Sequence, residues 1–198
     1  MKSLFQILTV AVAAFLFPAC ATNTSNQNEA ESDASANASE QVAPAVPVFT
    51  EQGIAPVLIG TDADVLPESV EGLYASKKYI QFEGSDEEEL AMDDIDGWYF
   101  YDKDGKKLFV AETIEKDGKN IIYSVTVYSP DFKTQQGAHV GMSRQKLAAI
   151  DGAKYIAPDP EADYEIYMFE LGNITITMDY ENKFATDMRA FDNSYIDY

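Results

Sequence analysis

The sequence predicts an α+β fold: two tandem units of a short helix plus an antiparallel β-meander, forming a sheet with helices on one face. Three observations predict it. A short motif occurs twice, as Val57-Leu-Ile-Gly-Thr-Asp62 and as Ala138-His-Val-Gly-Met-Ser143, each followed four positions later by an apolar residue, Leu66 and Leu147. Both copies read as a β-type run, a glycine turn and a helix N-cap residue, the order that starts a helix. Beyond each copy, apolar and polar residues alternate with the period of two that a half-buried strand requires. Turn pairs (Asp104-Gly105, Asp117-Gly118, Gly172-Asn173) separate the alternating runs.

In chain order, residues 48–198 form a single domain, with unit one at 53–130 and unit two at 137–198. After the Asp62 helix start, Pro67 to Tyr74 reads as a loop and Lys77 to Phe82 as a strand. Gly84 to Gly97 is acidic, an insert without a counterpart in unit two. Trp98–Tyr101, Lys107–Glu112 and Ile121–Tyr128 then form a meander that Pro130 stops. In unit two the helix from Ser143 to Ile150 precedes strands at Lys154–Ile156, Tyr164–Phe169, Ile174–Met178 and Phe184–Phe191. With helices on one side, the other side of the sheet faces solvent or a partner.

The N-terminus carries a different signal. Lys2 precedes an apolar run, Leu4 to Phe17, whose length fits the ~7–15 residues of a secretory signal and falls short of the ~20 of a membrane-spanning helix. Leu16-Phe-Pro-Ala-Cys20 resembles the lipobox of bacterial lipoproteins. That resemblance implies a signal peptide at 1–19 and a lipidated Cys20 as the mature N-terminus. Cys20 is the only cysteine, so disulfides are excluded and acylation accounts for a lone exported thiol. Residues 20–47 lack aromatics and are rich in Ala, Asn, Ser and Glu, the composition of a disordered tether. Ala21 stands where an Asp would retain enterobacterial lipoproteins at the inner membrane, so the resemblance implies the outer membrane, the domain facing periplasm or cell surface.

A net charge of −20 repels phosphate backbones and anionic headgroups, which excludes nucleic acid as a partner and leaves membrane attachment to the acyl chains. Val140-Gly-Met-Ser-Arg-Gln-Lys-Leu147 is similar to the opening motif of the small outer-membrane lipoprotein of the β-barrel assembly machinery. The duplicated helix-then-meander plan resembles β-lactamase inhibitor protein. Both resemblances imply an envelope compartment and a repeat fold, and members of that fold class bind unrelated proteins.

The leading expectation is therefore a non-enzymatic, protein-binding lipoprotein that needs no cofactor. Its candidate contacts are Trp98, Tyr99, Tyr101, Tyr123 and Tyr167, large rigid side chains with polar tips on alternating positions of an open sheet face. A second expectation is a small-ligand or Ca²⁺-binding lipoprotein using the acidic insert 86–96, with Asp93, Asp94 and Asp96 as ligands. Asp102-Lys-Asp-Gly105 opens like a calcium loop, but the twelfth position is Thr113 where an EF-hand needs Glu. A third is a hydrolase built on a carboxylate pair. His139, the sole histidine, lies near Ser143 and Asp151, yet its position in the repeat belongs to a strand and Ser143 to a helix start.

Overall fold

A computed structural model of the chain describes residues 47–81, 95–158, 160 and 165–195. β1 (Val48–Phe49) precedes unit one, whose strands are β2 (Gly53–Ile54), β3 (Val57–Leu58), β4 (Ser76–Ile80), β5 (Gly97–Tyr101), β6 (Lys107–Lys116) and β7 (Lys119–Val127). After β8 (Lys133–Thr134) and helix α1 (Arg144–Ala148) come β9 (Ala153–Ile156), β10 (Met168–Leu171), β11 (Ile174–Met178) and β12 (Ala185–Phe191). Eight of them form one antiparallel sheet in the order β4-β5-β6-β7-β12-β11-β10-β9. The last strand of each meander lies at the centre and the first at an edge.

The α+β expectation is overturned. The described residues are mostly β, with α1, five residues long, as their one α-helix. The Asp62 start yields only a 3₁₀ turn, Ala63–Val65, because Leu66 turns extended (ψ 141°) before Pro67, which disfavours helix in the residue ahead of it. The Ser143 start is cut short by the left-handed Gly152 (φ +81°) just beyond it. Neither segment has the three or more turns that repay helix nucleation. Among the described residues no helical layer covers the sheet. Its apolar face is closed instead by short segments that each contribute a buried anchor or two: Phe49, Ile54, Val57, Ala63, Leu73, Phe132 and Leu147 all join the core cluster.

Strand register explains that core. One cross-sheet row runs Lys77, Phe100, Phe109, Val127, Met188, Ile176, Phe169, Tyr155, each residue paired with the next. The neighbouring apolar row runs Tyr79, Trp98, Ala111, Val125, Ala190, Ile174, Leu171, Ala153. Phe100 and Phe109 stack at 4.5 Å and are fully buried. Lys77 ends its row buried, its Nζ donating to the Ala63 carbonyl at 3.2 Å and lying 4.3 Å from the Trp98 ring centre. The ammonium thus ties the 3₁₀ turn to the sheet edge.

The two halves are related by a pseudo-twofold. Gly60 N–H donates to Ile122 O (2.8 Å) and Ile122 N–H to Thr61 O (2.9 Å); in unit two, Gly141 N–H donates to Ala185 O (2.8 Å) and Ala185 N–H to Met142 O (3.0 Å). Both glycines take positive φ, +87° and +81°. The sequence shift that carries Ile122 onto Ala185 carries Thr126 onto Arg189, and these two pair directly across β7 and β12. The pseudo-axis therefore passes through the Thr126–Arg189 pair.

Because Phe109 sits fully buried where a ring stack meets the central strands, Phe109→Ala is expected to lower stability by about 3–5 kcal/mol in urea unfolding. Phe191→Ala, at an exposed strand end, is expected to stay within about 0.5 kcal/mol of the parent.

Candidate binding face

On the opposite face the row through the pseudo-axis runs Lys78, Tyr99, Val110, Thr126, Arg189, Thr175, Glu170, Lys154. Alternation along each strand puts these residues opposite the core, so the sequence pattern that buries Phe109 and Met188 also presents Val110 and Arg189 here. The centre of this face is not open to solvent, since Tyr99, Val110, Glu112, Ser124 and Thr126 are buried. Long side chains lie among short ones there. Tyr101 stacks with Tyr99 at 6.5 Å, and Lys107 Nζ stands 3.9 Å from the Tyr128 ring centre.

Arg189 organises the middle. Its Nε donates to Ser124 Oγ at 2.9 Å and its Nη2 to Glu112 Oε2 at 2.8 Å, while Tyr123 donates its hydroxyl proton to the other Glu112 oxygen at 3.0 Å. A carboxylate accepting from both a guanidinium and a phenol on neighbouring strands is a charge-assisted network that fixes both donors. Thr126 Oγ1, beside it, is buried without a hydrogen-bond partner. Burial first, then the Glu112 charge and the hydrogen bond to it, push the Tyr123 phenol up to about 12, against a smaller lowering by Arg189.

The structure divides the five aromatic candidates. Trp98 lies in an apolar row against the core, edge-on to Tyr79 at 5.6 Å, with its Nε1 buried and unpartnered. Tyr167 also packs on the core cluster and donates to Glu165 at 2.8 Å. Tyr99 and Tyr101 lie on the polar face, and Tyr123 reaches it with its hydroxyl. Tyr99 donates to the Ile95 carbonyl at 2.9 Å and accepts from the Ile95 N–H at 3.2 Å. Arg189, Glu112 and Ser124 were not singled out from sequence. An arginine flanked by Met188 and Ala190, which read as core positions, was the available signal.

The other candidates are placed as follows. Cys20, Asp93, Asp94 and the rest of the insert through residue 94 lie outside the described residues; Asp96 is exposed just ahead of β5. Among the described residues, no group of three or more His, Cys, Asp or Glu side chains gathers as a metal set. Asp102 spends one carboxylate oxygen on the N–H groups of Asp104 (2.9 Å) and Lys106 (2.8 Å), closing the β5–β6 turn. His139 Nδ1 is 2.9 Å from the Val140 carbonyl, an acceptor, so Nδ1 carries the proton. Ser143 occupies the N-cap position of α1 but makes no side-chain cap, and the Arg144 N–H donates to the Lys183 carbonyl at 2.9 Å.

Comparison of the chain with protein-family models, curated proteins and solved structures returns no match.

The raised Tyr123 pKa makes a signed prediction. A phenol raised from 10.0 to about 12 contributes stability that is intact below pH 10 and is lost as pH rises through about 12. Ultraviolet titration of the parent against Tyr123→Phe is expected to assign to Tyr123 an ionisation near 12, and Glu112→Gln is expected to bring it back toward 10.0 by removing the charge that opposes phenolate.

Proposed function

We propose that this chain is a lipid-anchored protein of the bacterial outer membrane whose β domain binds another protein, without catalysis, through the polar face of the eight-stranded sheet. The observation that carries this reading is the set of side chains on that face: Tyr101, Tyr123, Arg189 and Phe191 beside Tyr99, the tyrosine, arginine and phenylalanine types that protein interfaces concentrate. Pre-organisation supports it as well, because the Glu112–Arg189–Ser124 network holds the central guanidinium in place before any partner arrives. Charge gives the partner a sign. Arg189 and Lys154 are paired with Glu112 and Glu170, which leaves Lys78 and Lys107 on the aromatic half of this side of a chain whose net charge is −20, so that half accepts a neutral or acidic surface that the rest of the molecule repels. The anchor in the proposal is Cys20, supported by the Leu16–Cys20 sequence.

Photo-crosslinking in cells tests the docking face. A reactive side chain at position 101 or 78 is expected to capture a discrete partner, and one at Val65, on the side of the sheet that carries the core, is not. Equal capture from all three positions, or none, defeats the reading. Where a partner is captured, Tyr101→Ala is expected to weaken it by about 2 kcal/mol. The anchor is tested separately: the Cys20→Ser chain is expected to leave the membrane fraction, and its retention there would remove the lipid from the proposal.

A further inference from the structure

We infer that the cleft where the Thr50–Gly53 turn, the β10–β11 hairpin and the end of β12 meet is a binding site for an uncharged saccharide. The cleft has a volume of about 400 Å³, and its walls include Glu51, Gln52, Asn173, Phe191, Asp192 and Asn193. That volume suits one or two sugar rings.

The chemistry of the walls selects the ligand class. A sugar hydroxyl donates one proton and accepts through its oxygen, so it is matched by sites that alternate carboxylate acceptors with amides able to do both. Gln52, Asn173 and Asn193 supply the amides, and Glu51 and Asp192 the acceptors. The side-chain amides make no hydrogen bond within the described structure, so their donors and acceptors are available to a ligand. Phe191, about one-third exposed and with the Arg189 guanidinium 5.5 Å from its ring centre, supplies the apolar part of the wall for the C–H surface of a pyranose. Carboxylates in the wall and the net charge of −20 set the sign: phosphorylated or uronic sugars are repelled.

Two features hold the acceptors in position. Glu51 Oε1 accepts the Asn173 N–H at 3.3 Å and lies over Gly172, whose φ of +61° in the β10–β11 turn suits glycine. Asp192 Oδ1 accepts the Ser194 N–H at 2.9 Å, which keeps its carboxyl below the usual carboxylate range. Both carboxylates border the cleft. The hydrogen bond from Asn173 to Glu51 also spans the two ends of the domain, so the cleft is assembled only when the N-terminal turn docks on unit two.

The test is a nitrogen-15 NMR titration of the full chain with glucose, N-acetylglucosamine, maltose and cellobiose at millimolar concentration, with glucuronic acid and spermidine as charged probes. At least one neutral sugar is expected to shift the Asn173, Asp192 and Asn193 amides, and glucuronic acid is not. Phe191→Ala and Gln52→Ala, both at exposed positions, are expected to weaken that sugar about tenfold, and Tyr101→Ala is expected to leave it unchanged. The inference is overturned if no neutral sugar moves these amides, if spermidine alone does, or if binding survives both cleft substitutions. It does not rest on the protein-docking reading, because the titration contains no partner protein.

Discussion

The pairing of β7 with β12 is the contact on which the sheet depends. It is the only join, among the described strands, between the four strands of the first meander and the four of the second. Its register, with Thr126 opposite Arg189, decides at once what lies on either side. A slip of β12 by one residue would turn Met188 and Ala190 out of the core and Arg189 into it. The apolar core and the Arg189 network are therefore two consequences of one register, and each penalises any other.

Arg189 makes that register costly to lose from the polar side. Its guanidinium bonds Ser124 on β7 and Glu112 on β6, so it spans the join and the strand beyond it. A buried carboxylate without its cation is among the more destabilising arrangements a protein can hold. The Glu112 side chain is about one-tenth exposed. The same arginine that positions the candidate binding face thus also holds the halves together. A face used for docking at the pseudo-axis is consequently placed where the scaffold is least free to move.

How much of this was legible in the sequence depends on the range of the interaction. Alternation and turn pairs located the strands: the meander strands at 97–101, 107–116 and 119–127 overlap the runs read from sequence, and Asp117 and Gly118 both take positive φ (+54° and +73°), as a two-residue hairpin turn demands. The helices were misjudged because an N-cap residue marks a start without measuring the room that follows, and Pro67 and Gly152 close that room within two turns. The side of the sheet on which each aromatic lies was legible in parity alone, which already separates Trp98 from Tyr99. What parity does not contain is the bulge between Glu112 and Thr113, which leaves Tyr123 out of the paired register while its hydroxyl reaches Glu112. Nor does it contain the meeting of Glu51 with Asn173, which the fold alone brings together.

The pseudo-twofold sharpens the functional argument, because symmetry in the scaffold makes asymmetry in the side chains informative. Along the polar row the edges match, Lys78 against Lys154, but Tyr99 and Val110 in one half stand where Glu170 and Thr175 stand in the other. Backbone requirements do not account for the difference, since both halves keep the same glycine turns and the same pairing to their last strand. On the apolar rows the corresponding exchanges stay apolar, as in Trp98 against Phe169 and Phe109 against Ile174, except at the edge, where Lys77 stands against Ala153. Packing constrains one face to remain alike in both halves, while the other has diverged into an aromatic half and a carboxylate-and-amide half. A surface of that kind offers a partner two distinct chemistries on one rigid sheet, with the carboxylate half continuing into the cleft beside Phe191.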